Sequence, residues 1–186
     1  MGYYNIYFYI LDFLHNPLNE SINHFCYTFT LNKGYNNMTL FIDGDAFPNL
    51  LKPIVLKAIE RLKLNTYVIA NKKITVGKSK YIEYLIVEQG ADEADHKIVE
   101  MTQENDLVIT ADIPLADRII SKNAHAIDHR GELYSVENIK QYLTMRNFMQ
   151  EMRDAGEMTG GPKAFGQKDA QCFANQFNAF LQKHKS

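Results

Sequence analysis

The segment Met38 to Asp45, Met-Thr-Leu-Phe-Ile-Asp-Gly-Asp, constrains this chain more than any other. Thr39 to Ile42 is a short apolar, β-prone run of the kind buried on both faces of a parallel sheet, and two carboxylates stand where it stops. A second run of the same shape, Leu107 to Thr110, is followed by Asp112. Adjacent parallel strands would bring Asp43, Asp45 and Asp112 together at the crevice beyond their carboxyl ends, where ligands bind in open α/β sheets. Three clustered carboxylates repel one another unless protons or a cation offset the charge, so a bound metal ion is expected.

The rest of the chain supplies the frame. Leu51 to Lys63 and Glu93 to Glu104 have helical spacing, as has Pro114 to Lys122, with its proline in the first turn. Between and after them, Thr66 to Ala70, Tyr81 to Val87 and Ala124 to Ile127 read as strands. Alternating strands and helices mean parallel strands joined by crossovers. The expected fold is α/β, three-layered, with a central, mostly parallel sheet of about five strands followed by C-terminal helices. Ser135 is the expected N-cap of a helix running to Arg153, and Gln167 to Gln182 forms the last helix. The loop from Gly156 to Gly166 between them is expected to be mobile and able to close over the crevice.

Residues 1–37 differ in composition from the remainder of the chain. They hold 10 of the 22 Tyr and Phe residues but only three acidic or basic side chains, Asp12, Glu20 and Lys33. The apolar run Tyr3 to Leu14 is interrupted by Asp12 well short of a membrane span, and no basic residues precede it, so neither a signal peptide nor a membrane segment is expected. Ile6 stands where a myristoylation signal wants Ser or Thr. Met38 reads as the natural start, with 1–37 an extension, or else an aromatic arm packed on the domain or on a partner. Cys26 and Cys172 form no CxxC and read as thiols of a reducing, cytoplasmic compartment. A net charge of -2 gives no overall attraction for nucleic acid or an anionic membrane, so phosphate binding must be local.

Each acidic residue also has a structural reading. Asp43 and Asp45 suit a turn, Asp92 and Asp95 complement a helix dipole, and Asp112 precedes Ile113-Pro114 as an N-cap would. Two carboxylates flanking one glycine after a buried strand favour function. Val76-Gly77-Lys78-Ser79 lacks the first glycine of a P-loop, Lys72 standing there instead. Lys72, Lys73, Lys78 and Lys80 either grip phosphate or form a solvated loop. His96, His125 and His129 show no zinc-ligand spacing, and oxygen donors suit Mg²⁺ or Mn²⁺ better.

Several motifs in order identify a resemblance: Asp43-Gly44-Asp45-Ala46-Phe47-Pro48, Ala70-Asn71, Ala94-Asp95, Val108 to Ala116, Arg130-Gly131-Glu132, Leu143 to Arg146 and Thr159-Gly160-Gly161-Pro162. From Met38 to about Phe180 the chain resembles the YaiI/YqxD family of small bacterial proteins, whose fold is similar to that of PIN-type nuclease domains. Family members usually carry Ala and Cys at the places of Gly44 and Phe47, so a thiol role at that turn does not carry over. The resemblance implies a PIN-like α/β domain over 38–155, with 156–186 a loop and C-terminal helix packing on the same domain. It also implies metal-assisted phosphodiester hydrolysis at Asp43, Asp45, Asp95 and Asp112. Asp43, Asp112 and Asp95 would hold Mg²⁺ or Mn²⁺, while Thr110 positions a carboxylate and Ser79, Lys80, Arg130 and Arg146 contact phosphate. Asp92 is a further acidic candidate. Single-stranded RNA is the expected substrate, since no basic recognition helix is present for duplex DNA.

Two other readings stay open. Asp43-x-Asp45 after the first strand, with Asp112 and Asp117 after a later one, resembles a haloacid-dehalogenase-type phosphatase. Alternatively the chain is a non-catalytic RNA- or protein-binding module with a structural ion.

Overall fold

The computed structural model describes residues 38–88, 90, 92–156 and 163–184. The segment 1–37 and most of the 156–166 loop, with the expectations attached to them, lie outside the described residues.

Strand β1, Leu40–Asp43, is the middle of the molecule: Leu40, Phe41 and Ile42 are completely buried. Alternation along the strand sends Leu40 and Ile42 to one face, where they meet Leu51, Val55 and Ile59 of a helical segment and Phe173 and Phe177. Phe41 points the other way, against Ala94, Ile98, Leu115 and Ile119. Two cores on one sheet make three layers, and a continuous apolar run suits a strand covered on both sides.

A 3-10 turn at Asn49–Leu51 leads into helix α1, Lys52–Leu62, with Pro53 in its first turn where no hydrogen bond is lost. The helix stops at Lys63, which is left-handed at φ 54°. Strand β2, Thr66–Ala70, pairs in parallel with β1 and with β3, Ile82–Ile86. Helix α2, Glu93–Met101, ends where Thr102 turns extended and its hydroxyl donates to the Ile98 carbonyl. Strand β4, Leu107–Ile109, pairs with the other side of β1, and helix α3, Ile113–Ile120, follows it. Strand β5, His125–Ile127, is parallel to β4.

A two-residue strand, β6, Leu133–Tyr134, closes the sheet antiparallel to β5, giving the order β3-β2-β1-β4-β5-β6. The sheet therefore has six strands where the sequence suggested about five. Helix α4 spans Ile139–Asp154 and helix α5 spans Gln167–Lys183. The former starts later than expected: Ser135 sits in a preceding turn, its N–H donating to the Asn138 side chain at 2.8 Å, and Asn138 holds the cap position. Phe173 and Phe177 stack at 5.2 Å and, with Phe180 and Leu181, bury one side of α5. Among the described residues no helix is long and apolar enough to cross a membrane.

Candidate active site

The sheet order reverses at β1: the chain moves outward to β2 and β3, then returns to β4 on the other side. The gap between the carboxyl ends of β1 and β4 is the crevice such a reversal opens. Alternation places Asp43, the last residue of β1, on the side of Phe41, towards α2 and α3.

Thr110 holds Asp43 in place. Its hydroxyl donates to Asp43 Oδ2 at 2.8 Å and accepts from the Asp112 N–H at 3.0 Å, so its rotamer and proton are both fixed. Asp43 Oδ1 accepts from the Asp45 N–H at 3.3 Å. Asp112 caps α3, its Oδ1 accepting from the Leu115 N–H at 3.0 Å. The structural and functional readings of Asp112 are thus compatible, because the cap uses a single carboxylate oxygen. Asp45 Oδ1 accepts from the Asn71 N–H at 2.9 Å, tying the turn after β1 to the end of β2. Gly44 between them is tightly enclosed: a Cβ there would lie 2.6 Å from Ile74 Cδ1 and 2.9 Å from Ala70 Cβ.

The carboxylates press on one another. Asp43 is only 8% exposed, and burial first, then Asp45 and Asp112, raise its carboxyl above the ordinary range against the lowering effect of the Thr110 bond. Asp95, in the first turn of α2, is pushed up to about 6 by burial and by the charges of Asp112, Asp43 and Asp92. Asp92 starts that helix at φ 62°. Asp43, Asp95, Asp112 and Asp92 therefore share one field, with Asp45 on its rim. The main charges acting on Asp43 and Asp95 do not include Asp117, which lies within α3 and whose carbonyl accepts from Ser121.

Among the described residues, no three His, Cys, Asp or Glu side chains converge closely enough to share an ion as they stand. The donor chemistry still fits a hard cation. The groups facing the crevice are oxygens, and Mg²⁺ usually takes one or two carboxylates while keeping several waters. Asp43 with Asp95 or Asp112 would be enough.

The basic and polar candidates divide. Ser79, whose Oγ accepts from the Tyr81 N–H, and Lys80 precede β3, so they lie at its amino end, a strand length of ~16 Å from the end that carries the acids. Lys72 and Lys73 instead come after Asn71 and the carboxyl end of β2, beside Asp45. Arg130 lies on the right side of the sheet but is engaged: it pairs with Asp169 at 2.6 Å and donates to the Lys163 carbonyl at 2.5 Å. Arg146 is exposed on α4, near Asn147.

Two residues at the crevice had no sequence signal. Arg118 of α3 is the cation that lowers Asp95, and nine residues beyond the end of β4 nothing marks it as facing α2. Tyr134 is nearly buried, its hydroxyl raised by burial and by Asp128 and, more weakly, Asp112. A two-residue strand gives it no periodicity to be read from.

The model of a family described as "Uncharacterized BCR, YaiI/YqxD family" matches residues 41–183. A UPF0178 protein of Sulfurovum sp. (strain NBC37-1) is 78% identical over 147 residues, 79% of this chain and 99% of that protein. One of Sulfurimonas denitrificans is 70% identical over 147 residues, covering 79% and 97%. At 48% identity, one of Dechloromonas aromatica aligns over 146 residues, 78% of this chain and 97% of its own length. No solved structure matches.

Proposed function

The chain belongs to the YaiI/YqxD family, and from the acidic crevice of this member we propose that it is a Mg²⁺- or Mn²⁺-dependent, PIN-like nuclease hydrolysing single-stranded RNA. The observation that carries the reading is the Thr110 hydroxyl, which joins Asp43 Oδ2 to the Asp112 N–H where the sheet order reverses. Burial, and then the charges of Asp112 and Asp43, raise the Asp95 carboxyl beside them, as expected of a functional cleft rather than of a turn.

Thr110 keeps Asp43 aimed into the crevice, and Asp112 presents the oxygen that its cap leaves over. These two, with Asp95, would hold the cation. When bound, the cation polarises the phosphoryl group and makes a water more acidic. As one of the cation's ligands, Asp95 would also orient the attacking water. Lys72 and Lys73, at the rim, would meet the phosphate backbone. The phosphatase reading is less well supported. Asp45, the would-be acid/base, is tied to the Asn71 N–H, and Asp117 is not among the charges acting on Asp43.

The test is cleavage of labelled single-stranded RNAs by the full chain with Mn²⁺ or EDTA, beside an Asp43→Asn/Asp112→Asn double variant. Metal-dependent cleavage that the variant loses is expected. Hydrolysis of p-nitrophenyl phosphate without RNA cleavage would replace this reading with the phosphatase. Inactivity on both would replace it with the binding module.

A further inference from the structure

We infer that the free edge of β3 is a docking surface for a second copy of this chain, which adds its own β3 antiparallel across a twofold axis at Tyr84 and makes one sheet of the two. Two strands, β2 and β1, separate this edge from the acidic crevice, so its use does not depend on what the crevice does.

Strand β3 ends the sheet on one side and, among the described residues, pairs only with β2. The Thr66 N–H donates to the Tyr81 carbonyl and the Val87 N–H to the Ala70 carbonyl, so the odd-numbered residues turn their backbone groups towards β2. By alternation Ile82, Tyr84 and Ile86 turn theirs outward. The Ile82 N–H has a weak substitute, the Ser79 carbonyl at 3.4 Å. Sheet edges are ordinarily blunted by a proline, a bulge or a very short strand. The opposite edge, β6, is two residues long, whereas β3 has five, in unbroken register and without proline.

The side chains on this edge suit a partner strand. The bonds at Tyr81 and Val87 carry the alternation past both strand ends, so Lys80, Ile82, Tyr84, Ile86 and Glu88 share one face. Ile86 is 62% exposed, and Lys80, Tyr84 and Glu88 are exposed too. Tyr84 leaves the edge clear: its hydroxyl accepts from the N–H groups of Val76 and Gly77, both at 3.1 Å, and donates to the Gly77 carbonyl at 2.6 Å, which ties the ring back to its own loop.

Register identifies the occupant. Outward backbone must meet outward backbone, so an antiparallel copy pairs even-numbered positions with even-numbered ones. With Tyr84 opposite its counterpart, all of Ile82–Ile86 is paired, Ile86 lies on the partner's Ile82, and Lys80 meets the partner's Glu88 at both ends. Among the described residues neither Lys80 nor Glu88 is in an ion pair within its own chain. The next register one way sets Glu83 against the partner's Glu83, and the next the other way sets Ile82 against Glu88. In the Tyr84 register Glu83 instead faces the partner's Leu85 on the other face of the sheet. A second copy supplies both charge pairs by symmetry. An edge of this size makes a small interface, so the dimer is a micromolar one.

The experiment is sedimentation equilibrium of the full chain at low salt from about 2 to 200 µM, with amide hydrogen exchange on the same samples. A monomer–dimer equilibrium is expected within that range, and the Tyr84 and Ile86 amides should gain protection as the concentration rises. Ile86→Pro removes an outward N–H and no bond to β2, and should weaken the dimer about tenfold. Lys80→Glu and Glu88→Lys should each weaken it about fivefold, and the combined Lys80→Glu/Glu88→Lys chain should return to within about twofold of the parent. The two positions are on the order of 25 Å apart along one strand, so that return requires a second chain. Should Ile86→Pro lower the thermal midpoint, the charge exchange, confined to exposed side chains, decides alone. A chain monomeric at the highest concentration overturns the docking surface, as does a dimer indifferent to the charge exchange. Tyr84 and Ile86 amides equally protected at every concentration overturn it as well, because another part of the same chain would then cover the edge.

Discussion

Thr110 is the residue on which the crevice geometry turns. Its single oxygen serves Asp43 and the Asp112 backbone at once, so Thr110→Val removes two hydrogen bonds and leaves a buried carboxylate oxygen without its donor. A loss of about 1–3 kcal/mol in urea unfolding is expected, together with a fall in RNA cleavage that Thr110→Ser restores. A serine variant as impaired as the valine would mean that the hydroxyl alone does not suffice and that the methyl group is needed to hold it in place. Asp43 and Asp112 were legible in the sequence because each stands at a buried strand's end, where topology alone dictates that neighbouring carboxyl ends converge. Arg118 and Tyr134 were not, since each reaches the site across a helix or hairpin contact that no local spacing encodes. Ser79 and Lys80 show the converse: their chemistry suited phosphate, but the strand they precede sets them at the other end of the sheet.

The β5–β6 hairpin joins the sheet edge to the C-terminal helix, and its turn shows why local sequence patterning does not reveal it. Asp128 Oδ1 accepts from the N–H groups of Arg130 and Glu132, both at 2.7 Å, a side-chain substitute for ladder bonds that a two-residue strand cannot supply. Gly131 adopts φ 92°, and a Cβ there would lie 2.9 Å from the Cys172 carbonyl oxygen on α5. Both backbone conformation and packing thus demand glycine. Gly131→Ala is expected to destabilise the fold by about 2 kcal/mol, read as a lower urea midpoint with an unchanged slope. Arg130→Ala should have a smaller effect, because its pair with Asp169 is partly exposed. Long helices such as α1 and α5 are dictated by periodicity, and β1 by a continuous apolar run. Short elements such as β6 depend on tertiary contacts, here the Gly131 turn against α5 and Tyr134 against Tyr142 of α4.

Charge sets two opposing pH dependences on the fold. His129 is 6% exposed, packs edge-on against Phe47, and is held by burial at about 4, well below its ordinary 6.5. The unfolded chain therefore binds the extra proton first, and stability is lost as pH falls from 6.5 to 4, by at most about 3 kcal/mol. Asp43 and Asp95 act in the other direction. Their folded forms hold protons more tightly than the unfolded chain, so their share of stability is full below pH 3.8 and is lost as pH rises towards 6. In EDTA, Asp95→Asn should thus raise the thermal midpoint at pH 7 and leave it unchanged at pH 4, whereas His129→Phe should flatten the acid side of the profile. The same repulsion is what a cation would relieve: Mn²⁺ is expected to raise the parent's midpoint at pH 7, much less at pH 5, and hardly at all in the Asp43→Asn/Asp112→Asn variant. An equal Mn²⁺ response in parent and variant would mean that the ion binds elsewhere. The carboxylates would then remain a charged strain in the fold with no cation to answer it, and the metal-dependent nuclease reading would fall with them.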